Sequence, residues 1–129
     1  MSFCPCSPNT LYKDCCQAIH NGSKLADSAE ALMRSRYTAF AKSDGIYLHK
    51  SHYRKTRPTL KEMQETARWA KSVSWIKLEV INKTKGGLAD IEGTVYFKAY
   101  FMENGKIEVI EENSYFKKEN GEWFYVGLA

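Results

Sequence analysis

Residues 89–127 read ADIEGTVYFKAYFMENGKIEVIEENSYFKKENGEWFYVG, and they decide the fold. Apolar and polar side chains alternate along 89–102, 106–118 and 122–127, the period of strands with one buried face. Asn104-Gly105 and Asn120-Gly121 separate the three runs. An Asn-Gly pair suits the type I′ turn, whose two central residues both need positive φ, so each pair predicts a two-residue hairpin. Upstream, Val73 to Asn82 alternates in the same way and is set off by Gly86-Gly87. The expectation is a four-stranded antiparallel meander.

Residues before 73 change period. Leu32, Met33, Tyr37, Phe40 and Ala41 recur near 3.6 spacing and predict a helix from about Ser28 to Lys42, with Asp27 as N-cap and Glu30 completing a capping box. Asp44-Gly45 is read as its end. A short helix is expected from Ile46 to about Lys50, and a third opens at Pro58-Thr59 and runs to about Lys71, with Thr59 and Glu62 forming a second box. Helices followed by a curved sheet give an α+β domain with the helices on one sheet face.

The chain has 129 residues, enough for one domain with a modest core. Its net charge of +4 is too small to argue for nucleic acid without a clustered basic face. The basic run Lys50 to Arg57, interrupted by His52 and Tyr53, reads as a solvated loop. No apolar run reaches the roughly 20 residues of a membrane span. Met1-Ser2-Phe3 leads straight into cysteine with no signal-peptide pattern, so the expected location is cytoplasmic.

All four cysteines lie in the first sixteen residues: Cys4, Cys6, Cys15 and Cys16. Zinc takes four thiolates in a closed tetrahedron, and a reducing compartment favours metal over disulfides. A Cys15–Cys16 bond would also be badly strained. Pro5 holds a tight turn between the first pair; the second pair opens a helical turn toward His20, itself a possible alternative ligand. Thiolates also suit iron and other thiophilic ions. Disulfides or a redox role are the competing readings.

The spacing C-x-C-x₈-C-C, with Pro5, Tyr12 and Lys13, resembles the SEC-C motif, a small zinc-binding element also found at the C-terminus of the SecA motor. Ser7-Pro8-Asn9 replaces the usual Gly-Ser-Gly, and Thr10-Leu11 stands where basic residues are usual, which weakens the basic surface. The segment Leu32-Met33-Arg34-Ser35-Arg36-Tyr37-Thr38-Ala39-Phe40 resembles the helix signature of the YchJ family (UPF0225). Tyr47-Leu48, Thr56-Arg57-Pro58, Trp75, Gly93, Glu112, Ser114 and Trp123 extend that resemblance along the chain. It implies a SEC-C-like metal-binding motif over 1–22 and an NTF2-like cone over 23–129, with helices packed into a curved sheet. It also implies a zinc cofactor, a protein partner related to translocation or the ribosome, and a homodimer as a further possibility. No reaction comes with the resemblance.

Chemistry in the cone rests on few residues. Ile110, Glu112, Ser114 and Phe116 share one strand face. Arg34 and Arg36 are two apart on a helix and diverge by about 200°, so one at most points inward. An ion pair from either arginine to Glu112 is the structural expectation; an acid–base pocket using Glu112, with His52 or Tyr53 at its rim, is the functional one. Trp75, Tyr96, Tyr100 and Trp123 are either core or pocket lining. No phosphate loop, nucleophile elbow or paired-histidine metal motif is present. The reading favoured is a non-enzymatic zinc-binding protein whose SEC-C element is a structural or docking module. The alternative is an enzyme or small-molecule binder using the cone.

Overall fold

The computed structural model describes residues 2–129. Strands β1 (Phe3–Cys4) and β2 (Ser7–Leu11) form a small hairpin, followed by a 3₁₀ turn (Tyr12–Asp14) and helix α1 (Cys16–His20). Helices α2 (Ala29–Ala41), α3 (Gly45–Lys50) and α4 (Leu60–Ser72) come next. Strands β3 (Ser74–Lys85), β4 (Glu92–Glu103), β5 (Lys106–Glu119) and β6 (Glu122–Leu128) complete the chain as an antiparallel sheet in sequential order.

The meander and both hairpin turns follow the sequence. Asn104 and Asn120 take φ of 53° each, and Gly105 and Gly121 take 77° and 79°, the positive pair that a type I′ turn demands. Register shifts interrupt β3 twice, between Trp75 and Lys77 and between Val80 and Asn82, and β6 once, where Val126 is the unpaired extra residue opposite Tyr115 and Phe116. Such bulges bend and twist a strand, which curls the sheet around α2. Val95, Phe97, Ala99 and Phe101 of β4 face inward and are buried, as are Phe116 and Trp123.

Two helix boundaries differ from expectation. Ser28, not Asp27, caps α2: its hydroxyl accepts from the Ala31 amide at 3.0 Å, while Glu30 turns away to ion pairs with Arg34 and Lys83, each at 2.8 Å. Asp44 begins a helix rather than ending one, accepting from the Tyr47 amide at 3.0 Å. The Thr59–Glu62 box is present. The basic run is also less free than a solvated loop. Ser51, His52 and Tyr53 are buried, His52 bridges to Tyr125, and Arg57 donates to the His52 carbonyl at 2.9 Å.

Gly93 sits where two backbones touch. A Cβ there would lie 2.6 Å from the Cα and N of Gly86 and 3.0 Å from the Thr84 carbonyl oxygen. None of these atoms can swing aside, and the Gly86 carbonyl also receives the Ala29 amide that opens α2. Gly93→Ala should therefore cost about 1–3 kcal/mol through forced backbone movement. An unchanged urea midpoint for that variant would show that the β3–β4 loop can yield.

Candidate metal centre and cone cavity

The β1–β2 turn carries Cys4 and Cys6, and the 3₁₀ turn delivers Cys15 and Cys16 at the start of α1. All four Sγ atoms lie within 4.8 Å of one another. The separations are 3.6 Å for Cys4–Cys6, 3.5 Å for Cys6–Cys15, 3.7 Å for Cys6–Cys16 and 3.9 Å for Cys15–Cys16. Four sulfurs at about 2.3 Å from a central ion stand about 3.8 Å apart at the corners of a tetrahedron. A disulfide would need about 2.05 Å. The spacing thus fits a tetrahedral thiolate ion and excludes bridges among these cysteines. Cys4, Cys6 and Cys16 are buried and Cys15 is half-buried, so the centre is enclosed on most sides.

The four thiols act strongly on one another. Hydrogen bonds from Cys16 and Cys6, with help from Thr38, hold the Cys4 thiol far below its ordinary range against the opposing effect of burial. At Cys6 a hydrogen bond with Cys16 lowers the thiol, but the Cys4 thiolate and burial outweigh it and push it up to about 12. Hydrogen bonding to Cys4 and Cys6, with burial, pushes Cys16 well above its usual value. A divalent cation held by these four cysteines would supply the charge that neighbouring thiolates require.

Helix α2 grips the element from one side. Thr38 Oγ1 lies 3.5 Å from Cys4 Sγ, and Arg34 Nη1 donates to the Cys6 carbonyl at 2.9 Å. His20 is a tether rather than a ligand. Its Nε2 is 2.7 Å from the Ser35 carbonyl, which can only accept, so Nε2 carries the proton and Nδ1 accepts from the Tyr12 hydroxyl at 2.9 Å. Both ring nitrogens are therefore engaged. The cysteines share one hydrophobic core with Leu32, Met33 and Tyr37 of α2 and with Phe116 and Trp123 of the sheet.

The other side of α2 faces a cavity of about 160 Å³ inside the curved sheet. Tyr37, Phe40, Trp75, Phe97 and Phe116 supply rings, and Arg36, Glu112, Ser114 and Tyr125 supply the polar groups. The two arginines diverge as helical spacing requires, Arg34 to the cysteine element and Arg36 into the cone. The expected ion pair is absent, because neither arginine bonds Glu112. Arg34 is committed to Glu30, and Arg36 Nη1 donates to the Leu48 carbonyl at 2.9 Å and to Ser51 Oγ at 2.7 Å. Glu112 Oε2 instead accepts from Ser114 Oγ and from the Tyr125 hydroxyl at 2.9 Å. Burial, with the Glu112 charge beside it, raises the Tyr125 phenol to about 12, so it remains a donor at neutral pH. Burial lowers Arg36 to about 10, leaving it charged.

Other expected pocket residues lie elsewhere. His52 and Tyr53 do not line the cavity. His52 packs edge-on against the Tyr125 ring at 5.0 Å, and the Tyr53 amide donates to the Tyr125 carbonyl at 2.7 Å. Tyr96 and Tyr100 alternate with the inward residues of β4 and occupy the outer face; Trp123 belongs to the core. Tyr125, which touches both Arg36 and Glu112, is not among the pocket residues expected from the sequence. Its place beside Glu112 comes from the β5–β6 register around the bulge at Val126, and only the Ser114-to-Glu112 strand face hinted at a site.

Burial, with Arg36 and Arg57 nearby, holds His52 down to about 4, and its Nδ1 has no partner among the described residues. An unfolded histidine titrates near 6.5. Its folded value is lower, so the stability tied to the neutral ring is present above about pH 6.5 and is lost as the pH falls toward 4. Between pH 7 and 5 this amounts to about 2 kcal/mol. His52→Phe should unfold with a shallower pH dependence over that interval. Wild type and variant share the cysteine cluster, so the difference isolates this ring; identical slopes in urea titrations would count against the assignment.

Comparison with known proteins adds the following. A family model described as YchJ, middle NTF2-like domain, matches residues 28–127. A UPF0225 protein of Shewanella sp. (strain MR-4) is 40% identical over 130 residues, covering 95% of this chain and 77% of the relative. A UPF0225 protein of Corynebacterium glutamicum is 38% identical over 124 residues, covering 95% and 92%. The solution structure of a SEC-C motif containing protein from Rhodopseudomonas palustris superposes with a TM-score of 0.83 at 30% identity, covering 98% of this chain and 95% of that one. The crystal structure of a SEC-C motif containing protein from Psychrobacter arcticus gives 0.80 at 32% identity, covering 98% and 82%.

Proposed function

Since this chain belongs to the UPF0225 (YchJ) family, we propose that it is a zinc protein whose Cys4, Cys6, Cys15 and Cys16 form a closed structural centre, stapling the SEC-C element onto α2. The tetrahedral sulfur spacing carries this reading. Four thiolates leave no coordination position for water, so the centre holds structure rather than performing hydrolysis. Its tethers through Arg34, His20 and Thr38 all end on α2, so the ion would fix the helix that also walls the cone. Metal analysis of protein purified without added zinc should find close to one zinc per chain. No bound divalent ion, or iron with visible thiolate absorption, would overturn the assignment of zinc.

A second reading is favoured by the open cone: a small-molecule-binding pocket around Arg36 and Glu112. The cavity is walled mainly by rings and contains polar groups that the protein does not fully satisfy, the usual composition of a ligand site. Neither reading requires the other, because the metal centre and the cavity lie on different sides of α2.

A further inference from the structure

We propose that the cone takes a small, planar, uncharged molecule bearing a carbonyl oxygen beside an N–H or O–H donor, as in a carboxamide. Arg36 holds the carbonyl and Glu112 holds the donor. The proposal rests on the reading of the cone as a binding pocket.

Arg36 is only 7% exposed, yet just one of its nitrogens, Nη1, has acceptors among the described residues. Nε and Nη2 have none, and they are not among the polar atoms sealed without a partner; Arg36 is one of the residues that line the cavity. A buried guanidinium with free N–H groups calls for an acceptor, because leaving such groups unmet is costly. The guanidinium carbon sits 4.6 Å from the centre of the Tyr125 ring, another residue that lines the cavity.

The hydroxyl of the same Tyr125 meets the complementary group. Glu112 Oε2 takes both hydroxyl donors, Ser114 and Tyr125, while Oε1 has no partner among the described residues. The cavity therefore offers a donor set at Arg36 and a free acceptor at Glu112, and no ion pair cancels either one. An anion attracted to Arg36 would meet the Glu112 carboxylate, and a cation at Glu112 would meet Arg36. A neutral molecule with an adjacent acceptor and donor satisfies both, each through a hydrogen bond of about 2.9 Å. The aromatic walls of Tyr37, Trp75, Phe97 and Phe116 select a flat apolar body. A cavity of about 160 Å³ has room for a single ring with a small substituent.

Benzamide is the simplest probe of this class, with benzoate and toluene as its charged and apolar counterparts. Each is titrated into the full zinc-loaded chain, followed by amide chemical shifts and Trp fluorescence. Benzamide should bind with a dissociation constant of about 1 mM, and about tenfold tighter than either counterpart. In Glu112→Gln the Tyr125 and Ser114 hydroxyls still have an acceptor, but the side chain now presents a donor and no negative charge. Preference should then pass to benzoate. Tighter benzoate binding in the wild type, or toluene equal to benzamide, would overturn the neutral amide-like class while leaving the pocket in place. Failure of all three to bind the folded wild type at 10-fold above the expected constant would remove the pocket reading itself.

Discussion

Cys16→Ser protein should carry no stoichiometric metal and should unfold roughly 10–20 °C below the wild type, the equivalent of about 5 kcal/mol for a chain of this size. Cys16 is 2% exposed and packs in the core shared by α2 and the sheet. A serine there removes one thiolate from a four-ligand set and places a buried hydroxyl among thiols. The remaining three cysteines cannot close a tetrahedron without water, which the buried position denies them. Losing the ion also frees the element from its own internal cross-link, so the 3₁₀ turn and α1, only three and five residues long, lose their main constraint. Helices this short do not persist alone. The effect reaches the main domain because His20, Arg34 and Thr38 connect the element to α2. Chelation of wild-type protein should reproduce the drop, and added zinc should reverse it. The variant should respond to neither treatment. A variant that retains one ion per chain, or melts within about 2 °C of the wild type, would remove Cys16 from the ligand set.

Trp123→Ala should cost about 3–5 kcal/mol, the usual penalty for emptying a large buried aromatic site. Trp123 is 1% exposed, and it ties β6 to the core cluster that includes Leu32, Met33 and the cysteines. A cavity of about 60 Å³ already adjoins it, lined by Ile19, Ala26, Leu32 and Tyr47, so the surroundings have little reason to collapse inward. Trp123→Phe should behave differently. The indole Nε1 is buried without a partner among the described residues, and removing an unmet donor recovers about 1–3 kcal/mol that offsets the lost ring area. The expected net change for Phe is within about 1 kcal/mol, read from urea midpoints at constant m. A Phe variant as unstable as the Ala variant would show that Nε1 is bonded after all, with a water in the adjoining cavity as its partner.

The balance between legible and hidden features follows from the range of the forces. The Asn-Gly turns, strand alternation, Thr59–Glu62 box and cysteine spacing are local, and each was readable because a few neighbouring residues decide it. The divergence of Arg34 and Arg36 was equally local, since helical geometry alone sets the angle. Cap choice at α2 failed by one residue because Ser28 and Asp27 are both competent caps; the Ala29 amide bonding to the Gly86 carbonyl fits the observed helix start. The expected ion pair to Glu112 does not form, because a carboxylate among apolar groups can also be satisfied by hydroxyl donors. Two hydroxyls met that need instead, one of them from β6.

The sequence alone showed the four-cysteine spacing of the candidate metal centre, the meander and the α+β order, because these depend on residue type and spacing within short windows. Tertiary structure decided that the four sulfurs gather within 4.8 Å of one another, that His20 bridges to α2, and that Tyr125 touches both a charged arginine and a carboxylate. The sulfur and His20 contacts join different elements of the N-terminal half, and the Arg36–Tyr125 contact joins α2 to the last strand. The geometry at Tyr125 depends on bulges and register that curve the sheet, and no local pattern encodes where a curved sheet brings its strands.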